Sequence, residues 1–165
     1  MVKSPPREAS APALSLVDDL DRLYREQAGR MWRALTAYSG DRDVAQDAVA
    51  EAFAQAIARR AAIHSPERWI WKAAYRIAAG ELHRRRNKST LTTDVPVDAD
   101  EPAWEIRAAL DQLAPPQRAA VVLHYYAGYP AREIAAITET TPAAVWMCLS
   151  RGRRQLRRIL EEDDG

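Results

Sequence analysis

Asp47 and Glu51 stand four residues apart, so on a helix both carboxylates project from one face. Such a pair suits a basic helical partner. A solvated acidic face has the same appearance and contributes little by itself. Further along, Trp69, Trp71 and Tyr75 are interleaved with Lys72 and Arg76 and followed by Arg84, Arg85 and Arg86. Aromatic planes can replace lost base stacking on an opened strand, at about 1–3 kcal/mol per base, while the cations hold its phosphates. A buried aromatic pair would show the same spacing. Near the end, Arg151, Arg153, Arg154, Arg157 and Arg158 concentrate positive charge. They can meet phosphate, or form a solvated face that suits the C-terminal end of a helix dipole. Of the groups that do covalent or metal chemistry there is little. His64, His83 and His124 are scattered with no second ligand at i+3 or i+4, and Cys148 is alone, so no metal site, cofactor or disulfide is expected. No nucleophile, base and orienting acid converge in the sequence, and an enzyme is the least supported class.

The elements that must carry these groups read as helices. Leu16, Leu20, Leu23, Tyr24, Met31 and Leu35 recur at helical spacing until Ser39-Gly40 stops them. Asp41 or Asp43 can cap a second helix with Val44, Ala48, Ala52, Phe53, Ala56 and Ile57 on its apolar face. Ser65-Pro66 opens a third, which bears the aromatic and basic residues. After a helix around Trp104–Leu113, Pro115-Pro116 starts one that carries Val121, Val122, Leu123 and Tyr125 up to Ala127-Gly128. Ile134 and Ile137, a polar break TETT, then Thr141 as cap with Pro142 at the first helical position spell a helix-turn-helix. Val145, Leu149, Leu156, Ile159 and Leu160 form the apolar stripe of its second helix.

The expectation is therefore an all-α chain of two small helical domains joined by a flexible linker. Residues 1–13 read as a disordered tail, 14–86 as the first domain, 87–102 as the linker, 103–161 as the helix-turn-helix domain and 162–165 as an acidic tail. The Thr-, Asp- and Pro-rich linker could reach roughly 50 Å if extended, so the halves can sit far apart. The 165 residues carry 24 Lys and Arg against 23 Asp and Glu, so net charge says little and distribution says more. No apolar run is long enough to span a membrane and no signal peptide is present, which predicts a soluble cytoplasmic protein without membrane insertion.

Three stretches in order, GDRDVAQDAVAEAF (40–53), SPERWIWKAAYRIA (65–78) and LDQLAPPQRAAVVLHYYAGYPAREIAAI (110–137), followed by the helix-turn-helix, resemble the extracytoplasmic-function class of bacterial sigma-70 factors. The likeness extends over about Leu16 to Leu160. It implies a promoter-specificity subunit without catalysis of its own. Its partners would be core RNA polymerase, through the beta-prime clamp and beta flap, promoter DNA, and an anti-sigma factor that covers these faces until a signal releases it. Carried onto this chain, Asp47, Glu51 and Gln55 would bind polymerase. Trp71, Lys72, Tyr75, Arg76, Arg84, Arg85 and Arg86 would engage the −10 region, and Trp69 would pack in the core. Thr141, Ala144, Ser150, Arg151, Arg153 and Arg154 would engage the −35 region.

The chain also departs from the pattern. Ala50 stands where the family usually has Gln, Tyr75-Arg76 where it has Arg-Asn, Gly80 where it has Asp, and Glu139 where the turn normally holds glycine. Trp146-Met147-Cys148 replaces a polar or basic trio. These side chains cannot make bidentate hydrogen bonds to purine edges. They can contact thymine methyls, pack on the other domain or bind another protein. Two further readings follow. A sigma-like mimic or adaptor would bind an anti-sigma factor or polymerase without promoter recognition. A plain helix-turn-helix regulator would leave the acidic pair and the aromatic helix unexplained.

Overall fold

The computed structural model describes residues 11–59, 62–88 and 101–163, and among these it is helical throughout, without a strand. The helices are α1 (Ala11–Ser39), α2 (Arg42–Ala58), α3 (Pro66–Asn87), α4 (Glu101–Asp111), α5 (Pro115–Tyr125), α6 (Ala131–Thr138) and α7 (Pro142–Asp163). Local chemistry sets several boundaries. Gly40 takes φ 78° and ends α1, a conformation that favours glycine. The Asp41 carboxylate then accepts from the amides of Asp43 and Val44 and caps α2, worth about 1 kcal/mol. Pro66, Pro115 and Pro142 each occupy the first turn of a helix, where their missing N–H has no intrahelical partner to lose. Thr141 Oγ1 accepts from the Ala144 amide at 3.2 Å and closes the start of α7.

The helix bounds differ from the expected boundaries at three places. Helix α1 begins at Ala11, inside the stretch 1–13 read as tail, and residues 1–10 lie outside the described residues. Of the stretch 87–102 read as linker, Asn87 completes α3 and α4 begins at Glu101, while residues 89–100 lie outside the described set. Residues 162 and 163 of the acidic tail belong to α7, and 164–165 lie outside.

Helices α1, α2 and α3 pack through Leu20, Met31, Leu35, Val44, Ala48, Phe53, Ile70 and Trp71, while α5, α6 and α7 share Val122, Leu123, Ile134, Ile137, Val145 and Leu149, all buried. Gly152 lets α7 lie against α5, since a Cβ there would come within 2.9 Å of Val121 Cγ2. The two groups do not stand apart. Arg107 and Arg118, from α4 and α5, donate to the carbonyls of Ala37 and Tyr38 at the end of α1, the latter at 2.9 Å. A helix C-terminus leaves such carbonyls without intrahelical donors, so two guanidinium groups from the other half complete it. Arg118 is 3% exposed and a buried guanidinium is costly unless satisfied; its Nη2 also donates to Leu113 O at 3.2 Å.

Gly80 sits mid-helix in α3 with nothing within 4 Å of an added Cβ. Gly80→Ala is therefore expected to raise stability by about 1 kcal/mol, read as a higher denaturant midpoint with an unchanged slope.

Candidate nucleic-acid interface

Residues Arg68, Lys72 and Arg76 lie four apart on α3 and form one row of cations along the helix. In the structure this row meets an acidic edge of the helix-turn-helix. Arg68 forms a two-pronged pair with Glu133 of α6, Nε to Oε2 at 3.1 Å and Nη2 to Oε1 at 3.0 Å. Lys72 Nζ and Arg76 Nη2 converge on Glu139 Oε1 at 2.9 and 2.6 Å. Beside them the Tyr129 hydroxyl donates to Glu67 Oε1 at 3.0 Å, and its ring stands edge-on to Trp71 with centroids 5.3 Å apart. Arg30 lies over both rings, 5.8 Å from Trp71 and 5.7 Å from Tyr129. Burial pushes the Tyr129 phenol up, and the neighbouring Glu67 carboxylate adds to the rise.

Glu139 occupies the left-handed region, φ 56°, ψ 47°, at the C-terminus of α6. That conformation is uncommon for a residue with a Cβ, and it aims the carboxylate at α3. The hydrogen bond from Lys72, with the charge of Arg76 beside it, holds the Glu139 carboxyl below its usual range. A depressed acid stabilises the paired form above the free carboxylate's range and loses that contribution as pH falls through its lowered value. The pairs are exposed enough for salt to screen them. Glu139→Gly relieves the left-handed strain and removes the acid that Lys72 and Arg76 share, while Arg68–Glu133 and the Arg107 and Arg118 contacts with α1 still join the halves. Small-angle scattering in a salt series should therefore show the radius of gyration rising at lower salt than in the unaltered chain.

The remaining groups separate by position. Trp71 is fully buried at 0% exposure, against the expectation that it faces the strand, whereas Trp69 is partly buried and packs against the core. The reason is geometric: Ile70, Trp71, Ala74 and Ala78 form the inward stripe of α3. Tyr75 is half-buried, tilted against Tyr38 at 5.4 Å, and burial raises its phenol well above the ordinary value. Arg84 pairs with Glu81 at 2.5 Å, and Arg85 bridges Glu81 and Asp41 at 3.0 and 2.6 Å. Burial pushes the Asp41 carboxyl up, but Arg85 and the capping amides outweigh it and hold it below its usual range. Arg86 is exposed.

On α2, Asp47 and Glu51 are both exposed, and Gln55 Nε2 donates to Glu51 Oε1 at 2.8 Å, so the three form one polar strip. On α7, Ser150, Arg151 and Arg154 are exposed, Arg153 reaches toward the Tyr125 hydroxyl at 3.4 Å, and Ala144 is partly buried beside the cap of Thr141. The apolar trio divides: Cys148 is partly buried against the core, while Trp146 and Met147 stand out at 56% and 53% exposure. His124 Nδ1 lies 2.9 Å from the Tyr129 carbonyl and so acts as a donor within the α5–α6 connection. No three His, Cys, Asp or Glu side chains converge among the described residues, and no described helix is long and apolar enough to cross a membrane.

Sequence reasoning did not find Arg68, Glu133, Glu67, Tyr129 or Arg118. A cation at position 68 completing an i, i+4, i+8 row was visible, but the row's acidic partners, Glu133 and Glu139, are 63 to 67 residues away.

Residues 103–156 match the family described as Sigma-70, region 4. Over 158 residues the chain is 30% identical to the ECF RNA polymerase sigma factor SigE of Mycolicibacterium smegmatis, a match covering 85% of this chain and 61% of that protein's length. The fold resembles the sigma factor RpoE of Bartonella quintana, solved in complex with the anti-sigma factor NepR. The TM-score is 0.77 at 18% identity, with coverage of 87% of this chain and 98% of that one. It also resembles CnrH, solved in complex with the cytosolic domain of CnrY, with a TM-score of 0.72 at 16% identity and coverage of 92% and 96%. Residues 103–156 thus carry a sigma-70 region 4, and the chain as a whole is similar in sequence to an extracytoplasmic-function sigma factor and shares the helical fold of the two solved structures.

Proposed function

We propose that this chain is an alternative sigma factor of the cytoplasm, without catalysis of its own, that binds core RNA polymerase and directs promoter-specific initiation. The observation that carries the reading is the separation of three surfaces on one helical frame. The acidic strip Asp47–Glu51–Gln55 on α2 suits a basic clamp helix, the cation row of α3 suits an opened strand, and the basic outer face of α7 suits duplex phosphate. The −10 contacts would come from Lys72, Tyr75 and Arg76 with Arg84 to Arg86. The −35 contacts would come from Thr141, Ala144, Ser150, Arg151, Arg153 and Arg154.

In the arrangement described, Lys72 and Arg76 are committed to Glu139, so strand binding requires α3 and α6 to part. Two promoter elements lying well over ten base pairs apart, at about 3.4 Å per pair, also cannot both be reached while the halves are in contact. The compact form is thus the idle one. A protein that grips both halves would hold it, which is the role proposed for an anti-sigma partner such as the one bound to the Bartonella sigma factor.

The test is transcription of sheared genomic DNA by sigma-free core polymerase with and without the protein, mapping new RNA 5′ ends. New starts sharing paired upstream elements support the reading. If none appear while the protein co-elutes with polymerase, the sigma-like adaptor takes its place; without co-elution, the plain helix-turn-helix regulator does.

A further inference from the structure

We propose that Trp146 and Met147 select the upstream promoter element by apolar contact with thymine methyl groups. The inference rests on the sigma-factor reading and names what its recognition helix reads. Helix α7 is fixed on its inner side by Val145 and Leu149, 2% and 0% exposed, and by the close approach at Gly152. That anchoring sets which side chains face outward. In the first turns they are Pro142, Ala143, Trp146, Met147 and Ser150, and only Ser150 carries a hydrogen-bonding group. Thr141 Oγ1 is already engaged at the helix cap.

A helix entering the major groove presents its N-terminal outward residues to base edges. Discrimination among purines there needs forked donors or amides, which this segment lacks. The apolar group on the major-groove floor is the C5 methyl of thymine. An exposed Trp–Met pair, extended by the apolar Pro142 and Ala143, marks a contact site. Its occupant is identified by its surroundings: Arg151, Arg154, Arg157 and Arg158 are exposed on the following turns of the same outward side. Guanidinium groups in that number suit a polyanion, so the apolar pair faces the bases while the arginines straddle phosphates.

The test uses the full chain bound to core polymerase to enrich duplexes from a random-sequence library. Each thymine of the enriched upstream element is then replaced by deoxyuridine, which removes a single methyl. The expected element is thymine-rich, and uracil at one or two positions weakens binding about fourfold each, the worth of one buried methyl. In Met147→Ala protein that sensitivity at one position disappears while the salt dependence of binding, set by the arginines, is kept. An enriched element indifferent to uracil overturns the inference and leaves the sigma reading standing. Unchanged selection by a Trp146→Ala/Met147→Ala protein overturns it too and assigns the pair to a protein partner. If polymerase is not bound and nothing is enriched, the sigma reading fails and the inference falls with it.

Discussion

Trp71→Ala is expected to lower the unfolding free energy by about 3–5 kcal/mol, the range for emptying a large aromatic site, and the melting temperature by roughly 10 °C. Trp71 is the largest side chain in the structure with no exposure, and it stands between Ile70 and Ala74 on the inward stripe of α3. Its Nε1 meets no acceptor among the described residues. Trp71→Phe keeps most of the apolar volume and drops that donor, and should lose far less. Tyr129→Ala separates the sources of burial, since Tyr129 covers Trp71 from the other half of the chain. If Trp71 is held mainly by α1 and α3, Tyr129→Ala leaves most of the stability in place; if Tyr129 is its principal cover, the two substitutions cost alike. A denaturant series on the three variants decides between these. Stacking of Trp71 on a DNA strand is compatible only with the second result, because only then does parting the halves free the ring.

The contrast between Trp69 and Trp71 marks where sequence reasoning stops. Helix starts were legible because one or two residues specify them: Asp41 after Gly40, Pro66 after Ser65, and Thr141 with Pro142. The all-helical class followed from the abundance of Ala, Leu, Glu and Arg together with helical spacing. On α3, however, apolar residues occupy 69, 70, 71, 73, 74, 75, 77, 78 and 79, wrapping most of the helix. Periodicity then cannot say which arc faces inward, and the answer comes from neighbours elsewhere in the chain. The same holds for Glu139. It could be marked as a residue with a Cβ where glycine is at ease, but not as the partner of Lys72 and Arg76, which tertiary packing alone brings near. The trio at 146–148 reads as one apolar unit in the sequence, yet each residue turns 100° from the last, so Cys148 faces the core and its two predecessors face out.

Reversing both charges of the acidic strip, Asp47→Arg with Glu51→Arg, should weaken binding to core polymerase by roughly 100-fold, because like charges then face the basic partner. Both side chains are exposed and neither forms an ion pair with another described residue, so the fold should change in stability by no more than about 0.5 kcal/mol. Gln55 holds the Glu51 carboxylate through its amide, which keeps one acid of the pair in a fixed direction at little entropic cost on binding. Competition binding at two salt concentrations tests the argument. The unaltered protein should lose affinity as salt rises, and the double variant, already without attraction, should not. Ala50 lies on the same exposed side, and Ala50→Gln adds a polar group beside the two acids, so it should strengthen binding modestly. Unchanged affinity in the double variant, with a native melting curve, would show that the acids are a solvated surface. Polymerase binding would then have to come from another face.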